Sequence, residues 1–137
     1  MRGVLVDAGP LIALIDRGDE HHGRCVETLR SIREPLITVW PAFTEAMYLL
    51  RASWTGQAAL WEMVESDAVE LRPLERDDVA RMTELMRKYR DLPMDLADAA
   101  IVRVAERDRI RQVFTLDQRD FRVYRPAGLG RLSLLPA

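Results

Sequence analysis

Apolar positions along this chain follow two periods. Residues 3–6, containing Val4-Leu5-Val6, form an unbroken apolar run, the pattern of a strand buried on both faces. Leu36-Ile37-Thr38-Val39 and residues 113–116 read the same way, and Val69-Glu70-Leu71-Arg72 alternates like a short strand. Phe121-Arg122-Val123-Tyr124 and Leu132-Ser133-Leu134-Leu135 are expected as late strands. Between these runs the spacing is helical. Gly9-Pro10 opens a helix to about Asp16, with Pro10 suited to its first turn. Cys25, Val26, Leu29 and Ile32 mark a second helix before Pro35. Pro41 starts a third, carrying Phe43, Ala46, Met47 and Leu50, and Gly56 separates it from a fourth with Leu60, Met63 and Val64 inward. Residues 75–90 place Val79, Met82, Leu85, Met86 and Tyr89 on one stripe, with Asp77 and Asp78 near the positive end. A last long helix runs from Asp95 to about Arg107.

Strands alternating with helices predict an α/β fold, with a mainly parallel sheet covered on both faces. No internal repeat, linker or low-complexity segment interrupts the 137 residues, so residues 1–137 are expected to form one domain. In such sheets ligands bind beyond the carboxyl ends of the strands. Asp7 and Asp117 stand at two of those ends.

Composition narrows the setting. Hydrophobic residues make up 48% and charged residues 31%, an ordinary soluble balance. No apolar stretch is long enough to span a bilayer, and the first residues lack the pattern of a secretion signal. The one cysteine, Cys25, has apolar helical neighbours and reads as a buried, inert thiol. A cytoplasmic protein is therefore expected, with no membrane partner. Net charge is −2, but residues 101–137 hold eight of the 20 basic residues and four acids, a local balance of +4. All basic residues except Lys88 are arginine, as a compositionally biased genome would also produce. Only the local asymmetry points to a polyanionic partner.

The candidate chemistry lies in the acids. Asp7 and Asp117 each close an apolar run, where a turn or capping role is the alternative reading. Asp98 falls between Val102 and Ala105 on the inner side of its helix, while Arg103, Glu106 and Arg107 occupy the opposite, wet side. A capping box with Asp95 would explain Asp98 only in part, because a capping residue need not face the core. Glu45 lies at the edge of its helix's apolar stripe, where a solvated flank is the ordinary assignment. His21 and His22 precede a helix and suit a surface or capping role, since no cysteine pair or second histidine pair accompanies them. A charge at an apolar position is costly unless something pairs with it. Several acids gathered without a nearby base imply a bound cation, Mg2+ or Mn2+.

In order along the chain these pieces read Val4-Leu5-Val6-Asp7-Ala8-Gly9-Pro10-Leu11, Thr44-Glu45-Ala46, Asp95-Leu96-Ala97-Asp98-Ala99-Ala100-Ile101 and Thr115-Leu116-Asp117-Gln118-Arg119-Asp120-Phe121. The series resembles the PIN-domain ribonucleases, most closely the VapC-type toxins of bacterial toxin–antitoxin pairs, from residue 4 to about residue 124. The resemblance implies a Rossmann-like three-layer α/β/α fold and a Mg2+- or Mn2+-dependent endoribonuclease. It implies that Asp7, Glu45, Asp98 and Asp117 are the catalytic acids, with Asp7, Asp98 and Asp117 holding metal. Asp95, Asp120 and Thr115 are auxiliary under the same likeness, and Arg119 and Arg122 are expected to position the RNA strand through its phosphates. It further implies a cognate antitoxin that covers the site, and an acid pocket invites an arginine or lysine from that partner. It also implies a homodimer, for which Trp54 and Trp61 are candidate exposed apolar residues.

Rival assignments fit less well. A phosphotransferase of the haloacid dehalogenase type needs a second acid where this chain has Gly9. A receiver domain needs a lysine late in the sheet, and Lys88 lies in a helix before Asp95. The alternative of another class is a module that keeps the PIN fold, binds RNA or protein, and cleaves nothing.

Overall fold

A computed structural model describes residues 2–137. Five strands form one sheet: β1 (Val4–Val6), β2 (Leu36–Val39), β3 (Val69–Arg72), β4 (Gln112–Phe114) and β5 (Ser133–Leu135). Their order is β3-β2-β1-β4-β5, and every neighbouring pair is parallel. Seven helices cover it: α1 (Ala8–Ile15), α2 (His22–Ser31), α3 (Trp40–Leu49), α4 (Trp54–Glu65), α5 (Val79–Lys88), α6 (Leu96–Asp108) and α7 (Gln118–Phe121).

The two-residue period of the strands sorts their side chains into two cores. Leu5, Ile37, Val39 and Val113 pack with α5 and α6 on one face. Val4, Val6, Leu36 and Phe114 pack with α1, α3 and α4 on the other, where Cys25 is buried as expected. The unbroken apolar runs are thus the signature of a middle layer, and the fold is a three-layer α/β/α sandwich. Among the described residues, no helix is long and apolar enough to cross a membrane.

Four expectations need correction. Gly56 does not separate α3 from α4: it lies in the first turn of α4, where its N–H donates to the hydroxyl of the N-cap Ser53 at 3.0 Å. Residues 121–124 are not a strand: Phe121 closes α7, and the Arg122 N–H donates to the Gln118 carbonyl at 3.0 Å. Phe121 and Tyr124 are both fully buried while Val123 is 45% exposed, the i, i+3 spacing of a turn rather than the alternation of a strand. Residues 75–90 do not form one continuous α-helix. A 3-10 turn, Arg76–Asp78, precedes α5, and Val79, expected inward, is exposed. Glu106, assigned to the wet side of its helix, is buried.

Glu106 is buried because it has partners that lie far away in sequence. Its carboxylate accepts from Arg81 Nε at 2.6 Å and from the Ala127 N–H at 2.7 Å. Asp78, also buried, accepts from Arg103 Nε at 2.7 Å, Arg107 Nη1 at 2.8 Å and the Glu75 N–H at 2.7 Å. These bonds fasten α5 and its leading turn to α6, and α6 carries Asp98. Trp54 is 71% exposed, whereas Trp61 makes an edge contact with Phe43 at 5.0 Å.

Candidate metal centre

The carboxyl ends of β1 and β4 lie side by side in the middle of the sheet. Asp7 follows β1 directly, and its N–H donates to the Phe114 carbonyl of β4 at 2.9 Å. As the N-cap of α1 it accepts the Ala8 N–H on Oδ1 at 2.8 Å. Its Oδ2 accepts the Thr115 hydroxyl at 3.0 Å, and Thr115 Oγ1 in turn accepts the Asp117 N–H at 3.0 Å. The fully buried Thr115 therefore ties two acids from distant parts of the chain to one place. The same carboxylate caps α1 and lines the acid cleft.

Asp98 separates the two readings. Asp95 caps α6, its Oδ1 accepting the Asp98 N–H at 2.8 Å. The Asp98 carboxylate does something else: its Oδ2 accepts the Tyr124 hydroxyl at 2.7 Å. Tyr124, which the sequence pattern assigned to a strand, is the one partner of the site that sequence reasoning missed. It is fully buried, and its ring stacks edgewise on Phe121 at 5.1 Å and Tyr89 at 5.0 Å.

Asp7, Glu45, Asp95, Asp98 and Asp117 line one cleft of about 400 Å³, with Gly9, Leu49 and Leu116 and without a basic side chain. Asp120, on α7, completes a tighter group, in which one carboxylate oxygen each of Asp98, Asp117 and Asp120 lies within 4.8 Å of the others. The expected trio of Asp7, Asp98 and Asp117 thus shares the cleft, but the closest three oxygens include Asp120 in place of Asp7. Glu45 reaches the rim from α3. Arg119 and Arg122 are exposed and do not line the cleft.

The electrostatics follow from crowding. Burial, opposed by the Tyr124 bond but reinforced by the charges of Asp95, Asp7 and Asp117, pushes the Asp98 carboxyl up to about 8. Burial also raises Asp7, and the Asp95 and Asp117 charges add to it against the Ala8 and Thr115 hydrogen bonds. Glu45 is raised by burial, then by Asp7, Asp95 and Asp117. Asp117 is raised by burial, then by Asp120. The Tyr124 phenol is held protonated by burial and by the carboxylate it serves.

The donor set is oxygen throughout, which suits a hard divalent cation and not zinc in a cysteine or histidine cage. Oxygens within 4.8 Å of one another would need to draw together to share one Mg2+ ion, whose neighbouring ligands stand ~3 Å apart at ~2.1 Å bonds. The residues present fit such an ion.

The PIN domain family model matches residues 4–126, a span that includes all these acids. The chain belongs to the PIN-domain family. This PIN domain is 29% identical to Ribonuclease VapC26 of Mycobacterium tuberculosis over 135 residues, which is 97% of this chain and 100% of that relative. Among solved structures it is similar to VapC20 of Mycobacterium tuberculosis, a toxin described as cleaving the sarcin–ricin loop. The TM-score there is 0.77 at 21% identity, over 85% of this chain and 93% of that one. It is similar to a chain of a toxin–antitoxin complex from Klebsiella pneumoniae, with TM-score 0.67 and 21% identity over 86% of this chain and 89% of that one. VapBC2 from Rickettsia felis, solved on a DNA fragment from its promoter, matches with TM-score 0.65 and 11% identity over 96% of this chain and 98% of that one. Likeness at these identities shows the PIN fold.

Proposed function

We propose that this PIN domain is a Mg2+- or Mn2+-dependent endoribonuclease, the VapC-type toxin of a toxin–antitoxin pair acting in the cytoplasm. The observation that carries the reading is the cleft of five carboxylates without a basic side chain. Its crowding makes the ionised state costly until a cation enters. The resemblance to a named ribonuclease over nearly the whole chain supports RNA as the substrate.

Asp98, Asp117 and Asp120 are the residues to hold the cation, with Asp7 and Glu45 beside them. A divalent ion supplies Lewis acidity at this point, making water a better nucleophile near neutral pH and offsetting charge on the phosphate. The chain's own residues prepare the site. Tyr124 fixes the Asp98 carboxylate through one hydrogen bond, and Thr115 holds Asp7 and the Asp117 backbone in register. Asp95 keeps the first turn of α6 closed, so that Asp98 stays at the cleft. Asp98 retains its proton at neutral pH in the metal-free protein and must release it to become a ligand, which makes metal affinity rise with pH. Arg119 and Arg122, exposed beside Asp117 and Asp120 in sequence, position the RNA strand by its phosphates.

The same reading includes an antitoxin and a homodimer. Beside the acids runs an apolar cleft of about 650 Å³, lined by Trp40, Tyr48, Leu74 and Leu96 and sharing Glu45 and Asp95 with the acid site. Trp40, Tyr48 and Leu96 are each about half exposed or more, at 47%, 60% and 50%. An apolar surface continuous with an acid pocket supports a protein partner that lays apolar side chains there and reaches the carboxylates with an arginine or lysine.

Cleavage of total RNA by the purified protein tests the reading. Activity should vanish in excess EDTA and return when Mn2+ or Mg2+ is restored above the chelator. Activity undiminished by EDTA, or RNA left intact with either metal present, would overturn it.

A further inference from the structure

The acid cleft lies at the carboxyl ends of β1 and β4, and the opposite pole of the sheet has the opposite charge. Arg2 leads into β1, Arg33 into β2 and Arg111 into β4. These strands are adjacent and parallel, with Val4 paired to both Leu36 and Gln112, so the residues entering them emerge together. With Arg109 they line a concavity of about 670 Å³ in which Glu34 is the single acid.

These four arginines share one hollow with one acid. Arg72, Arg81, Arg103 and Arg107, all at least partly buried, each hold a carboxylate at 2.8 Å or less. At this pole no guanidinium forms a salt bridge among the described residues. The Glu34 carboxylate accepts instead from Gln112 Nε2 at 2.7 Å and from the Arg33 N–H at 3.2 Å. Arg109 also ends α6 in the left-handed region, φ 59°, a conformation that favours glycine. Its guanidinium lies against Gly128, where a Cβ would sit 2.7 Å from Nη1. Four mutually repelling cations around one hollow suit a polyanion, and the planar fork of arginine suits phosphate in particular.

The acid cleft itself supplies no positive side chain, and a second basic surface would add to the hold on RNA that Arg119 and Arg122 give beside it. Over the surface the two poles are separated by the covering helices, the longest of which, the 13-residue α6, is about 20 Å at ~1.5 Å per residue. A strand of several nucleotides following the surface can reach both poles. We infer that the arginine-lined hollow is a second RNA-binding surface. It holds backbone phosphates several nucleotides from the bond that lies in the acid cleft. The choice of RNA as the polyanion rests on the ribonuclease reading above; the unpaired positive hollow does not.

The test is binding of a fluorescein-labelled 30-nucleotide RNA hairpin, read by anisotropy in EDTA so that neither cleavage nor metal contributes. Arg33→Ala/Arg111→Ala should weaken binding about tenfold and lower the slope of log Kd against log salt by about 1.5, at ~0.7–0.9 for each phosphate left without its arginine. The control Arg87→Ala/Arg90→Ala removes the same charge from the end of α5 and should bind as the wild type does. All four of these arginines are exposed, so melting temperatures should match the wild type. Equal loss in both pairs, or no loss in the first, would overturn the inference. So would a first pair that loses labelled polyglutamate as strongly as RNA, since that would make the hollow a site for acidic protein. Hairpin binding lost only in the first pair, by a protein that cuts no RNA in Mn2+, would uphold the hollow and overturn the ribonuclease reading.

Discussion

Asp98→Asn should lower RNA cleavage by at least about 100-fold while making the metal-free protein more stable at pH 8. Removal of a supporting group beyond the ligands already costs ~10–100-fold in metal sites, and loss of a ligand should cost no less. The stability gain follows from the sign of the shift. Asp98 titrates near 8 in the folded protein, against 3.8 for an ordinary aspartate, so between these values the folded state binds the extra proton. Stability contributed by that proton is lost as pH rises toward 8. Asparagine keeps an acceptor for Tyr124 and has no charge to desolvate. Thermal melts in EDTA should therefore show the variant roughly 5 °C or more above wild type at pH 8, with the gap closing toward pH 5. Asp7, Glu45 and Asp117 are raised in the same direction, so the wild type itself should melt higher at pH 5 than at pH 8. A variant that melts lower than wild type at pH 8 would mean that Asp98 serves only to order its helix.

Asp78→Ala should be the most damaging single change to the fold. Asp78 is 1% exposed and receives two guanidinium groups and one backbone N–H. Truncating it leaves Arg103 and Arg107 partly buried and short of their counter-charge, at ~3–5 kcal/mol. For a chain of this length that is a fall in melting temperature on the order of 10–20 °C. Burial alone would raise the Asp78 carboxyl, but the Glu75 N–H, Arg103 and Arg107 hold it below its ordinary value. Glu106 and Asp108 are lowered in the same way by their arginines. Their stabilisation is present above the unfolded carboxylate range and lost as pH falls below about 4. With the acid cleft favouring low pH and this network resisting it, the metal-free protein should be most stable between about pH 4.5 and 6. Calorimetric melts of wild type and Asp78→Ala across pH 3–8 measure both effects. A fall of only a few degrees for the variant would show that the network contributes little.

What the sequence made legible was what local pattern controls. The uninterrupted runs at residues 4–6 and 36–39 identify two-sided burial, which in turn identifies a parallel sheet with helices on both faces. Asp7 and Asp117 could be placed at strand ends because turn chemistry and the end of an apolar run are both local. Asp98 was visible as an acid on an inward helical face. What escaped depended on partners distant in the chain. Tyr124 acquires its role from a hydroxyl bond to Asp98, 26 residues earlier, and its i, i+3 spacing with Phe121 passes for strand alternation over so short a stretch. Glu106 looked solvated because the arginine that allows its burial, Arg81, is 25 residues away. Asp120 stood outside the expected metal trio because the one-turn helix α7 that carries it also had to be recognised. The basic pole was not legible, since its arginines come from three strand entrances and the end of α6, and the charge excess of residues 101–137 includes only Arg109 and Arg111 of the four.

Titration of Mn2+ into the metal-free protein by calorimetry tests the metal centre most directly, because it needs neither a substrate nor a partner. The wild type should bind Mn2+ with release of protons and with an affinity that rises from pH 6 to pH 8. Asp98→Asn and Asp117→Asn should each reduce or abolish that binding. Equal Mn2+ affinity in both variants and wild type would contradict the assignment of these carboxylates as the metal centre.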